Sequence, residues 1–149
     1  MNIERCSVWR IHMKEEEVKK RAGAWLEGQG YKIVTVSPER GRTARKLRRG
    51  RKLLAPMEPD IRARRGTEYY FVEAKGDPAS SNQLYTAIGQ LVSKMAAKTP
   101  TKYAIAVSPG YENLLHLIPP EVQERFKINV IMVKPEREKS KRLPEVLEI

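Results

Sequence analysis

Cysteine is almost missing from this chain of 149 residues: Cys6 stands alone. No disulfide can close within the chain, and a reducing, cytoplasmic setting is expected. Cys6 also lacks the neighbouring sequence of a thiol enzyme. Histidine is nearly as scarce, and His12 and His116 are too isolated to offer zinc-ligand spacing. No apolar run approaches the roughly 20 residues that cross a bilayer, and the N-terminus lacks a signal-peptide core. Glycine-rich phosphate loops are absent too, because Gly41 and Gly50 stand singly within a basic segment. There is no internal repeat.

Acidic residues are the remaining shortage. Eighteen of them face 29 Lys and Arg, for a formal charge of +11 and a pI near 9.9. That balance favours a polyanionic partner, nucleic acid before membrane. The length suits a single domain over 1–149, able to bury about two-thirds of its unfolded surface. No small-molecule cofactor is expected.

Helical periodicity first appears from Lys14 to Gln29, where Val18, Ala22, Trp25 and Leu26 share a stripe that Gly28 and Gly30 bring to an end. Tyr31 to Val36 alternates and reads as a strand stopped by Ser37-Pro38. Residues 40–52 hold eight basic side chains of thirteen and no acid, a basic loop too charged to bury. Ile61 to Arg64 and Tyr69 to Lys75 then form a hairpin turning at Arg65-Gly66. A second helix, Asn82 to Lys98, turns Leu84, Ala87, Ile88, Leu91 and Met95 inward. Tyr103 to Val107 is apolar throughout, as buried parallel strands are. Helical turns near Tyr111 to Leu117 and after Pro119-Pro120 lead to a strand, Ile128 to Val133. The charged tail, 135–149, is expected to fray or carry one short helix. A strand meander, a helical crossover and another strand give an α/β domain: a central mixed β-sheet flanked by helices, in the order αβββαβ plus a C-terminal strand.

One constellation stands out from this frame. Pro59-Asp60 opens the first hairpin strand and Glu73-Ala74-Lys75 closes the second. Side chains at i and i+2 of a strand share a face, so Glu73 and Lys75 project together while Ala74 enters the packing. Hairpin pairing brings Asp60 alongside Glu73. Taken singly these residues are ordinary: proline-aspartate is common turn chemistry, and a glutamate and a lysine two apart can form an exposed ion pair. The run Tyr70-Phe71-Val72 makes the strand an interior one, however, where isolated charge is expensive. Two carboxylates and an ammonium converging on one edge suit a hard divalent cation and a phosphate.

Pro59-Asp60 followed by Glu73-Ala74-Lys75 resembles the catalytic motif of the PD-(D/E)XK phosphodiesterase superfamily, small nucleases similar to Holliday-junction resolvases included. The resemblance implies a restriction-endonuclease-like core and a metal-dependent DNA endonuclease acting in repair, recombination or restriction. Asp60, Glu73 and the Ala74 carbonyl would hold Mg²⁺ or Mn²⁺, and Lys75 would orient or deprotonate the attacking water. The products would carry a 5′-phosphate and a 3′-hydroxyl. Members often carry a glutamine on the next helix, and Ala87-Ile88-Gly89-Gln90-Leu91 matches that pattern. Many also carry a first-helix glutamate that reaches the metal, directly or through water. Glu15 is the preferred candidate, being three and seven residues before Val18 and Ala22, with Glu17 its rival and Glu16 the third choice. Some of these acids serve only the helix dipole.

DNA contacts are expected from Arg40, Arg42, Arg45, Lys46, Arg48, Arg49, Arg51 and Lys52, with Arg62 and Arg64 on the hairpin and Lys94 one turn beyond Gln90. Arginine outnumbers lysine six to two in the basic run, as bidentate phosphate contacts favour. A homodimer is left open, since resolvases act as dimers. The alternative to an enzyme is a catalytically silent basic DNA-binding module of the same fold, acting with a partner protein. An RNA-binding protein is a weaker rival, because basic strands interleaved with aromatics are lacking.

Overall fold

The computed structural model describes residues 12–36, 58–95 and 101–134, together with the backbone of 146–148. The first helix, α1 (Glu15–Gly28), carries its three acids in the first turn, where they complement the dipole. Val18, Ala22 and Leu26 recur every fourth residue and are fully buried. Gly30, with φ 88°, ends the helix. The amide of Gly30 donates to the carbonyl of Glu27 and that of Tyr31 to the carbonyl of Leu26, the paired bonds of a Schellman stop.

Three strands follow as an antiparallel meander: β1 (Lys32–Val36), β2 (Ile61–Arg65) and β3 (Glu68–Lys75). Gly66, at φ 61°, supplies the left-handed residue of the β2–β3 turn. Helix α2 (Ser81–Ser93) begins with the Ser80 hydroxyl accepting from the Gln83 amide. It recrosses the sheet to β4 (Thr101–Val107), parallel to β3. A 3₁₀ helix (Pro109–Leu117) and the short helix α3 (Pro120–Phe126) lead to β5 (Ile128–Val133), parallel to β4. The last strand, β6 (Val146–Glu148), pairs antiparallel with β5.

The sheet is mixed and six-stranded, ordered β1-β2-β3-β4-β5-β6. Alternation along β3 divides two cores. Tyr70, Val72 and Ala74 join Val18, Ala22 and Leu26 of α1, while Phe71 joins Leu84, Ala87 and Leu91 of α2 with Ile105 and Val107 of β4. The expected α/β order is observed, and two details differ. Helix α2 stops at Ser93 rather than Lys98, because Lys94 and Met95 donate to carbonyls three residues back, tightening the last turn. The tail contributes a strand instead of a helix, covering the edge that β5 would otherwise expose. Among the described residues no helix is long and apolar enough to cross a membrane.

Candidate active site at the open end of the hairpin

The antiparallel register pairs Ile61 with Val72, which sets Asp60, one residue earlier, beside Glu73 and Ala74. At this end of the sheet β2 begins while β1, β3 and β4 finish, since Val36 faces Ile61 and Lys75 faces Val107. Past Ile61 the backbone ladder between β2 and β3 stops. The Asp60 side chain continues it, its Oδ2 accepting from the Ala74 amide at 2.8 Å. One carboxylate oxygen is thereby fixed by the backbone, and the other faces the interior.

Asp60 and Glu73 are each 0% exposed, and Lys75 is 6% exposed. Burying two carboxylates side by side is costly unless each finds compensating charge. Two lysines supply it. Lys19 of α1, 4% exposed, places its Nζ 3.8 Å from Asp60 Oδ1 and 3.3 Å from Glu16 Oε1. Lys94, capping the C-terminal end of α2, donates to Glu73 Oε1 at 2.8 Å and to the Gln90 carbonyl at 3.3 Å. Compensation is incomplete. Burial first, and then the adjacent Asp60 charge, push the Glu73 carboxyl up to about 7 against the opposing pull of Lys94. Lys75 shares the α2 face of β3 with Glu73 by strand alternation, and among the described residues its ammonium has no ion-pair partner.

The structure thus brings Asp60, Glu73 and Lys75 together as the motif anticipates. Gln90 is half-buried one turn before Lys94, its carbonyl also accepting from the Ser93 hydroxyl at 2.7 Å. Lys94 is a member of the site itself: its side chain is 6% exposed and bound to Glu73, where a DNA contact was expected. Glu15 is not brought to the carboxylate pair. The backbone amide of Glu15 abuts Gly76, leaving no room for a Cβ there, and the Glu15 charge acts on Tyr111. Glu17 is engaged by Arg21 at 2.8 Å. Among the described residues no group of three or more His, Cys, Asp or Glu side chains is placed to hold a metal.

Lys19 is the residue that sequence reasoning missed. Its signal was present but slight, a lysine four residues after Glu15 and three before Ala22 on the inward stripe of α1. Arg62 and Arg64 lie on the face of β2 that α1 does not cover. The Arg62 guanidinium sits 4.8 Å from the Tyr69 ring centroid and 5.7 Å from that of Phe71, and Arg64 lies 5.7 Å from Tyr69. Aromatic stacking orients such a guanidinium without consuming its hydrogen bonds. Arg40, Arg42, Arg45, Lys46, Arg48, Arg49, Arg51 and Lys52 fall outside the described residues. The segment that bears them joins Val36 to Glu58, both at the end of the sheet where Asp60 stands.

Two carboxylates with a neighbouring main-chain carbonyl make an oxygen-only donor set. A small hard dication fits such a set, because Mg²⁺ commonly keeps several waters and needs only one or two protein carboxylates besides substrate phosphate. No family model matches the chain, and no curated protein matches it. A solved structure similar to it is that of an XisH family protein from Nostoc punctiforme, at 18% identity and a TM-score of 0.49, the likeness covering 78% of this chain and 90% of that one.

Proposed function

We propose that the chain is a metal-dependent DNA endonuclease of the restriction-endonuclease-like type. One observation carries the reading: a fully buried Asp60–Glu73 pair lies beside Lys75, a nearly buried ammonium with no ion-pair partner among the described residues. A structural salt bridge would have paired that lysine. Asp60, Glu73 and the Ala74 carbonyl would hold Mg²⁺ or Mn²⁺, which when bound supplies charge neutralisation and a lowered water pKa. Lys75 holds or takes a proton of the attacking water and steadies charge on the phosphate oxygens. Asp60 keeps its geometry through the Ala74 amide, so it need not reorganise to act. Arg62 and Arg64, with the basic run 40–52, hold the DNA backbone by charge, which fixes position without reading sequence.

The test is incubation of the purified protein with Mg²⁺ or Mn²⁺ and a panel of linear, flapped, single-stranded and four-way DNA. Cleavage of at least one substrate, lost on chelation, is the expected result. Absence of cleavage across the panel with both metals would overturn it. The second reading, a silent DNA-binding module, is favoured by Lys19 and Lys94, which already neutralise the carboxylates. It requires tight binding with no cleavage under every one of those conditions.

A further inference from the structure

Lys94 occupies a cation's place. Its ammonium is enclosed by a carboxylate oxygen at 2.8 Å and a main-chain carbonyl at 3.3 Å, and its side chain is 6% exposed. That is a hard-oxygen environment of the kind that binds metal ions. Lys19 and Lys94 each reach one of the two buried carboxylates, and Lys75 lies two residues from Glu73 on the same face of β3. Lys19 and Lys94 nevertheless differ in how they are held. Lys19 is 3.8 Å from Asp60 and shared with exposed Glu16. Lys94 is in direct contact with Glu73 and caps the C-terminal end of α2, its ammonium at the end of a long, flexible side chain.

We propose that Lys94 is a resident counter-cation of Glu73, exchanged for a divalent metal ion when the site is loaded. The inference rests on the metal site proposed above. A dication cannot share Glu73 Oε1 with an ammonium 2.8 Å away without strong repulsion, so one cation must leave. Lys94 is covalently tethered and can swing away, carrying its charge toward the phosphate that arrives with the substrate. The device offsets part of the cost of burying Glu73 and lowers metal affinity at the same time. Lys94 is thus a positioning residue for Glu73, and its presence makes metal binding weaker than the two carboxylates alone would give.

The experiment is titration of Mn²⁺ into wild type, Lys94→Met and Lys94→Arg by calorimetry, with melting curves recorded in EDTA and at saturating Mn²⁺. Lys94→Met is expected to bind Mn²⁺ about tenfold more tightly, the scale of one removed interaction between contacting charges. Lys94→Arg keeps the charge and should stay near wild type. In EDTA the methionine variant should melt below wild type, and Mn²⁺ should raise its melting temperature by more than it raises that of wild type. A purely structural lysine would produce the first loss without the larger metal-dependent recovery. Should Lys94→Met fail to fold, Lys94→Gln, which keeps one N–H donor for Glu73, carries the same comparison. Unchanged or weaker Mn²⁺ binding by the variant, with wild type still binding, overturns the exchange alone. Loss of Mn²⁺ binding in wild type as well overturns the metal site and the exchange with it.

Discussion

The β2–β3 hairpin carries charge at both ends, and the two clusters obey different rules. At the turn, Glu68 accepts from the Tyr31 hydroxyl and faces Lys102 at 3.2 Å and Arg65 at 3.9 Å, while Arg65 lies over the Tyr31 ring. Lys102 and Arg65 are about half exposed. Water still solvates these charges, and the Tyr31 hydrogen bond holds the Glu68 carboxyl below its ordinary value. Tyr31, itself buried, is pushed up to about 12, first by burial and then by Glu68. At the open end, Asp60 and Glu73 are fully buried, and Glu73 moves the opposite way, to about 7. A cluster that stabilises lowers its acid, whereas one that strains raises it. Strongly perturbed carboxylates of this kind are enriched at functional sites, though structural ion-pair networks produce them as well.

The largest expected effect tests the open end directly. Asp60→Asn should lose metal-dependent cleavage to assay background while binding DNA as well as wild type or better, one negative charge facing phosphate having been removed. Normal nicking by this variant would end the site assignment. Lys75→Ala comes next and should slow cleavage by at least about 10²-fold, the scale of one transition-state electrostatic contact, with little change in melting temperature. A variant that cleaves normally but melts far below wild type would make Lys75 a structural residue. A smaller effect is expected on binding: Arg62→Ser with Arg64→Ser should flatten the salt dependence of duplex binding by roughly 0.9 in log–log slope per lost phosphate contact. Identical slopes would remove these two arginines from the DNA track.

The two ends should also answer pH with opposite signs. Glu73 titrates at about 7 in the folded chain against 4.5 in its reference state. Between those values the folded state keeps a proton that the unfolded state has released, so this residue's contribution to stability falls as pH rises from 4.5 to 7 and levels off above. In urea titrations without metal, Glu73→Gln should therefore gain on wild type across that interval. Glu68, held low, contributes stability above its ordinary value that is lost as pH falls through the folded one. Glu68→Gln should accordingly lose ground to wild type as pH rises through 4.5, by less than about 1 kcal/mol as for exposed pairs, and leave cleavage untouched. A Glu68 variant as damaging to cleavage as Asp60→Asn would erase the distinction between the clusters.

The hairpin and its motif were legible because both depend on neighbours along the chain. Alternation at 70–75 and Gly66 in the turn set which side chains share a face, and pairing then sets Asp60 opposite Glu73. The resemblance implied a first-helix glutamate, and helical spacing chose Glu15 among the three acids; spacing shows that a residue faces inward but not how far the helix slides along the sheet. The α1 N-terminus packs its Glu15 backbone against Gly76, and it is Lys19, one turn on, that stands beside Asp60. Strand β6 was hidden because three residues in a charged tail have no periodicity of their own, and they order by pairing with β5.

What the sequence determined by itself was the α/β order, the strand faces and the Asp60, Glu73 and Lys75 constellation, since these follow from backbone periodicity and local turn chemistry. Only the tertiary structure decided which cations neutralise the buried acids. Lys19 and Lys94 are 41 and 21 residues from their partners Asp60 and Glu73, and such contacts depend on how two helices settle on opposite faces of one sheet, with each buried charge requiring whichever ammonium the packing brings within reach.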